Sequence, residues 1–149
     1  MSDASLYIKN ANIHMEEKTI ENGGVMLEHG KITKIFVEGE KPASYPSRFK
    51  IIDGQGMHLL PGFLDGHIHG ANGADVMDAT EEALDTMASV LPAEGTTSFL
   101  ATTITQSPEN IAKALENVAN YKNKDGQAEI VGVHLEGPLL SQAKKEPSL

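Results

Sequence analysis

Two histidines, His67 and His69, stand directly behind the run Pro61-Gly62-Phe63-Leu64-Asp65. On a β-strand, residues i and i+2 project to the same face, so both imidazoles would be offered to one point in space. Two neutral imidazoles at that spacing can share a divalent cation. The chain has no cysteine, so any metal must be held by nitrogen and oxygen donors. The plainer alternative is a pair of half-buried histidines with no ligand. Asp65 falls on the same face, where its carboxylate can orient an imidazole or simply accept a hydrogen bond from loop backbone. Gly66 and Gly70 would let another backbone or a ligand approach closely.

A second cluster, His134-Leu135-Glu136-Gly137-Pro138, follows an apolar run from Glu129 to Leu135. His134 and Glu136 share a face by the same alternation. If the two strand ends are neighbours, Glu136 can add a carboxylate to the imidazoles; as a surface loop residue it would only cap or pair with a charge. For His134, direct ligation and a hydrogen-bonded core role both stay open. Between the clusters lie Thr96-Thr97-Ser98, Thr102-Thr103 and Thr105. These could offer hydroxyls at a strand mouth, although such residues more often form strands and satisfy nearby backbone groups. His14, His29 and His58 read as structural or surface residues.

The elements that must position these groups fall into two stretches, 1–58 and 59–149. The first reads as a small antiparallel β unit: short runs at Leu6–Ile8, Val25–Leu27, Ile32–Val37 and Phe49–Ile52, with almost no helix. Glu28-His29-Gly30-Lys31 fits a hairpin connection, Asn22-Gly23-Gly24 a turn, and Lys41–Ser47 a loop. The second stretch alternates. A strand is expected over Phe63–His69, a loop over Gly70–Asp75, and a helix over Asp78–Leu91 closed by Pro92 and Gly95. A strand over Thr96–Thr105 should follow, then a helix opened by Ser107 and Pro108 with Ile111, Leu115 and Val118 as its apolar stripe, then the Glu129–Leu135 strand. Strand–helix–strand–helix–strand predicts an α/β fold with a parallel sheet, its last strand buried on both faces.

Composition excludes several classes. Twelve basic against twenty-one acidic residues give a net charge of -9, which argues against nucleic acid as a partner. No apolar run is long enough to span a membrane, and the N-terminus lacks the pattern of a secretory signal, so a cytoplasmic location is expected. The absence of disulfides agrees with that compartment.

Three segments taken together resemble the N-acetylglucosamine-6-phosphate deacetylases of the amidohydrolase superfamily. They are Pro61–Gly70, Glu94–Thr105 (EGTTSFLATTIT) and His134–Leu139 (HLEGPL). The first motif indicates only the superfamily; the second and third, in this order and spacing, are more specific. The resemblance implies a metal-dependent (β/α) TIM-type barrel, of which 59–149 would be about the first three strands, preceded by a small β-sandwich portion at 1–58. It implies hydrolysis of the acetamide of N-acetylglucosamine 6-phosphate to glucosamine 6-phosphate and acetate, with an amino-sugar phosphate as the small-molecule partner. Glu136 corresponds to the family's metal-binding glutamate, and His67 and His69 to first-strand ligands kept in some members. One or two divalent ions, zinc or iron, would be held there.

The family's catalytic aspartate, its two later metal-binding histidines and its sugar-phosphate site have no counterpart among these residues. After Lys144-Lys145 the text also departs from the family's pattern. The chain is therefore expected to be an N-terminal fragment, by truncation or frameshift, that is inactive alone. A family-like homo-oligomer is expected only of a full-length form. Two other readings are an amidohydrolase acting on a cyclic amide or another amino sugar, and a non-catalytic fragment that pairs with a full-length subunit.

Overall fold

The structure, a computed structural model, describes residues 5–43 and 49–138. Part of the loop expected at 41–47, and everything after Pro138, lie outside the described residues. The fold is mixed α/β and separates into two units, Met1–Pro61 and Gly62–Leu149.

The first unit is a single sheet. Strand β1 (Ser5–His14) pairs antiparallel with β2 (Thr19–Glu28), and β2 pairs antiparallel with β3 (Lys31–Phe36). Strands β4 (Phe49–Asp53) and β5 (His58–Leu59) then add to the other edge of β1, in parallel. The expected all-antiparallel unit is thus a mixed sheet. Residues 37–48 connect β3 to β4, long enough to carry the chain to the far edge instead of turning a hairpin. Ala11 and Ile13 are buried with Val25, against which Ile8 also packs, while Tyr7, which precedes the register shifts of β1, is buried outside that cluster. The Tyr7 and Phe36 rings meet edge to face, 5.7 Å apart. The β2–β3 turn places His29 at φ 52° and Gly30 at φ 73°, as a two-residue hairpin of this hand requires.

Asn22-Gly23-Gly24 does not turn the chain. It lies inside β2 as a bulge, with Asn22 at φ 48° and a register shift in the β1–β2 pairing. A Cβ on Gly24 would lie 2.5 Å from the Tyr7 hydroxyl oxygen and 2.8 Å from its Cε2, so these glycines make room for a buried aromatic ring.

In the second unit, β6 (Phe63–Ile68), β9 (Thr96–Thr102) and β10 (Glu129–His134) form a parallel sheet in the order β10-β9-β6. The expected Gly70–Asp75 loop is a small hairpin of β7 (Gly70–Ala71) and β8 (Ala74–Asp75). Helix α1 (Glu81–Val90) starts three residues later than its acidic run suggested. Asp78 is spent in a 3-10 turn, where it accepts from the Asp75 backbone N–H at 2.9 Å while Asp75 accepts from Met77 at 2.8 Å. Thr80 then becomes the N-cap, accepting from Ala83 at 3.2 Å. Helix α2 (Pro108–Asn120) opens as expected, with Ser107 as N-cap. Its buried stripe is Ile111 and Ala114, with Val118 partly buried and Leu115 less so than the spacing implied.

Leu84, Met87, Ala88 and Leu91 of α1 and its end, with Ala114 of α2, pack on Phe99 and Ala101 of β9. This covers one face of the parallel sheet. Val131 and Leu135 remain 48% and 57% exposed, so β10 is not buried on both faces among the described residues. Apolar strand composition reports what a sheet is built to cover, and only one covering layer lies within the described residues.

The α2–β10 connection is tied to α1 by a polar cluster around Asp85. The Lys124 ammonium is 2.7 Å from Asp85, the Tyr121 hydroxyl donates to Asp85 at 3.0 Å, and the Gln127 amide donates at 2.8 Å. The Lys124 and Gln127 contacts hold the Asp85 carboxyl down from 3.8 to about 2. Burial and the adjacent carboxylate push the Tyr121 hydroxyl up to about 12.

Two outcomes follow. Gly24→Val should cost about 1–3 kcal/mol through forced displacement of Tyr7, read as a lower urea midpoint; an unchanged midpoint would show that the ring has room to move. Asp85 is held ionised more strongly in the fold than in the open chain. Its contribution to stability is therefore full above about pH 4 and is lost as pH falls towards 2. Asp85→Asn should flatten that part of the stability–pH curve, whereas a variant curve running parallel to the parent's would show no contribution from this cluster.

Candidate metal centre

Because β6 and β10 flank β9 in a parallel sheet, their C-terminal ends lie at the same edge. That edge gathers His67 from β6, His69 just past it, and Glu136 two residues past β10. The Nε2 atoms of His67 and His69 are 3.1 Å apart. Glu136 Oε2 lies 3.5 Å from His67 Nε2 and 3.6 Å from His69 Nε2. One ligand atom from each residue falls within 4.8 Å of the other two, and this is the group of three potential metal ligands found among the described residues.

The donor set fits a divalent cation. An unprotonated imidazole nitrogen and a carboxylate oxygen both offer lone pairs, so this convergence suits a positive centre or a shared proton. Two ligands on a tetrahedral zinc at about 2.0–2.1 Å sit about 3.3 Å from each other, close to the spacings here. The site is also accessible: the His67 side chain is 52% exposed and that of Glu136 32%. Nδ1 of His69 is buried without a partner among the described residues, whereas a metal-bound imidazole usually donates its second N–H.

Other residues singled out by their spacing take different places. Asp65 does not orient an imidazole. Its carboxylate accepts from the backbone N–H of His67 at 3.0 Å, because a side chain two residues back reaches its own strand's amide more easily than a ring. His134 is not in the converging group. Its Nδ1 is 3.1 Å from the Gly66 carbonyl oxygen, and its ring lies 4.4 Å from that of His67, so it packs beside the converging group. Gly70 admits the Ala74 carbonyl of the small hairpin, while no atom lies near the Cβ position of Gly66. His14 and His58 pair with each other at 2.6 Å inside the first unit, far along the chain from this cluster.

Thr102 and Thr103 have long-range backbone partners that no local pattern reveals, whereas the Thr105 hydroxyl is buried without a partner among the described residues. Thr102 Oγ1 accepts from the Ile68 N–H at 2.9 Å and donates to the Leu100 carbonyl at 3.2 Å. Thr103 Oγ1 accepts from the Glu136 N–H at 2.9 Å and donates to the Glu136 carbonyl at 3.0 Å. Their position at the end of a β-branched strand was visible; which backbones they would meet was not.

A parallel sheet that gathers two histidines and a carboxylate at the C-terminal ends of its strands has donors that can hold a divalent cation. The chain belongs to the amidohydrolase family, whose sequence model matches residues 58–148. It is similar to the N-acetylglucosamine-6-phosphate deacetylase of Bacillus subtilis (strain 168), 47% identical over 141 residues that cover 92% of this chain and 35% of the relative. The enzyme of the same name from Lysinibacillus sphaericus is 37% identical over 141 residues, covering 94% of this chain and 35% of that one. Among solved structures, the N-acetylglucosamine-6-phosphate deacetylase of Pasteurella multocida aligns with a TM-score of 0.81 at 28% identity, over 95% of this chain and 36% of that one. The chain thus spans about a third of the length of the relatives it matches. No described helix is long and apolar enough to cross a membrane.

Proposed function

We propose that this chain supplies the first metal-ligating strands of a deacetylase acting on N-acetylglucosamine 6-phosphate. The observation that carries the reading is the convergence of His67, His69 and Glu136 from two strands of one parallel sheet. The 47% identity to a deacetylase of that name points to the substrate. On this reading the second unit is the opening part of a (β/α) barrel, with its functional groups at the C-terminal strand ends. The first unit is part of a small β-sandwich.

His67 and His69 would hold a divalent ion, zinc or iron, through Nε2, and Glu136 through its carboxylate. Such an ion supplies Lewis acidity towards an amide carbonyl and makes water ionisable near neutral pH. The residues of this chain contribute binding and orientation. Two imidazoles and one carboxylate would only partly offset the charge of such an ion, so the loaded site would be electropositive. Asp65 holds the His67 backbone, and His134 supports the His67 ring. No residue among the 149 is assigned to proton transfer or to the sugar phosphate. Little hydrolysis is therefore expected from these residues by themselves.

Titration of the chain with Zn²⁺ in a calorimeter should show saturable uptake. Glu136→Gln and His69→Ala should each weaken it at least about tenfold. Uptake that both variants retain would place the metal elsewhere. Acetate release from N-acetylglucosamine 6-phosphate by the zinc-loaded chain is expected near background. Turnover at an ordinary enzymatic rate would show that a proton-transfer group lies within these residues.

A further inference from the structure

We propose that Thr102 and Thr103 are positioning residues, a two-sided clamp on β9 that holds the His67/His69 strand and the Glu136 loop at metal-binding separation. The inference rests on the metal-site reading above and extends it to residues that touch no ligand.

Among the described residues, strands β6 and β10 do not pair with each other; each pairs with β9. The relative position of the three ligands must therefore be set through β9. That strand ends at Thr102, close to where the proposed ligands converge: Ile68, between the two histidines, pairs with Ala101, and His134, two residues before Glu136, pairs with Thr102. Thr102 and Thr103 carry the connection further with side chains. Both are fully buried. The two hydroxyls reach opposite neighbours, Thr102 towards β6 and Thr103 towards the segment after β10. The Thr102 hydroxyl takes the N–H of Ile68, the residue between the two histidines. The Thr103 hydroxyl takes both the N–H and the carbonyl of Glu136, while the Thr103 N–H donates to the His134 carbonyl at 3.1 Å.

Two hydrogen bonds from one hydroxyl to the same residue fix the orientation of the Glu136 backbone, and with it the direction in which its side chain leaves. Gly137 follows at φ 87°, and a Cβ there would lie 2.8 Å from Thr105 Cα. The chain after Glu136 is thus pressed against the same threonine segment. A hydroxyl that merely satisfied a nearby polar group would bond within its own strand, as Thr102 also does to Leu100. These reach residues more than thirty positions away, one between two ligands and one a ligand itself.

The test compares Thr103→Val, Thr102→Val and Thr103→Ser in the full 149-residue chain, by Zn²⁺ calorimetry and by amide hydrogen exchange without metal. Valine keeps the shape and removes the hydroxyl; serine keeps the hydroxyl. Zn²⁺ affinity should fall about 10- to 100-fold in each valine variant and stay near the parent's in Thr103→Ser. In the unsubstituted chain the Ile68 and Glu136 amides should exchange slowly. Thr103→Val should release the Glu136 amide while the first unit's amides stay unchanged. Parent-like Zn²⁺ affinity in the valine variants overturns the clamp but leaves the metal site standing. Fast exchange of Ile68 and Glu136 in the unsubstituted chain also overturns the clamp, and needs no variant to fold. A parent chain that takes up no Zn²⁺ overturns both readings.

Discussion

The arrangement of this molecule's second unit depends on one strand being shared. Neighbouring strands in a sheet lie about 4.8 Å apart, so backbones on either side of β9 are separated by about 10 Å. His67 and Glu136 nevertheless approach to 3.5 Å. The side chains close that gap near the level at which β9 ends at Thr102. At this level β9 presents Ala101 opposite Ile68 and Val133, then Thr102 opposite His134.

The helical layer makes that strand rigid. Phe99 and Ala101 are fully buried against α1 and α2, so β9 is anchored on its covered face, while its end carries the polar connections. The Asp85 cluster holds the segment entering β10 to the outer side of α1, and the Ala128 N–H donates to the Ala88 carbonyl at 2.8 Å. Apolar packing thus fixes the centre of the sheet, and polar contacts fix where its last strand enters and where its ligand loop leaves.

The division between apolar and polar roles also explains which expectations held. Strand and helix identity in the second unit was legible because periodicity and punctuation agree: Ser107-Pro108 opens α2, and Pro92 with Gly95 ends the α1 segment. Boundaries moved where a side chain had two possible uses. Asp78 could extend a helix or cap a turn, and Thr80 settled the matter by capping the helix itself. Asn22-Gly23-Gly24 carries the composition of a turn but serves as a bulge, because Tyr7, from a different strand, needs the space. The parallel addition of β4 and β5 could not be read from strands that look alike in either direction.

For the pair that defines the site, the sequence alone was enough to put His67 and His69 on one side of a strand, because alternation is a local property of extended backbone. It also marked Glu136 as a carboxylate just beyond another strand's end. Only the tertiary structure decided that these ends are one strand apart and that His134 supports instead of converging. Those outcomes depend on pairings across more than thirty residues, and such distances are set by which strand lies between which, not by any local pattern of residues.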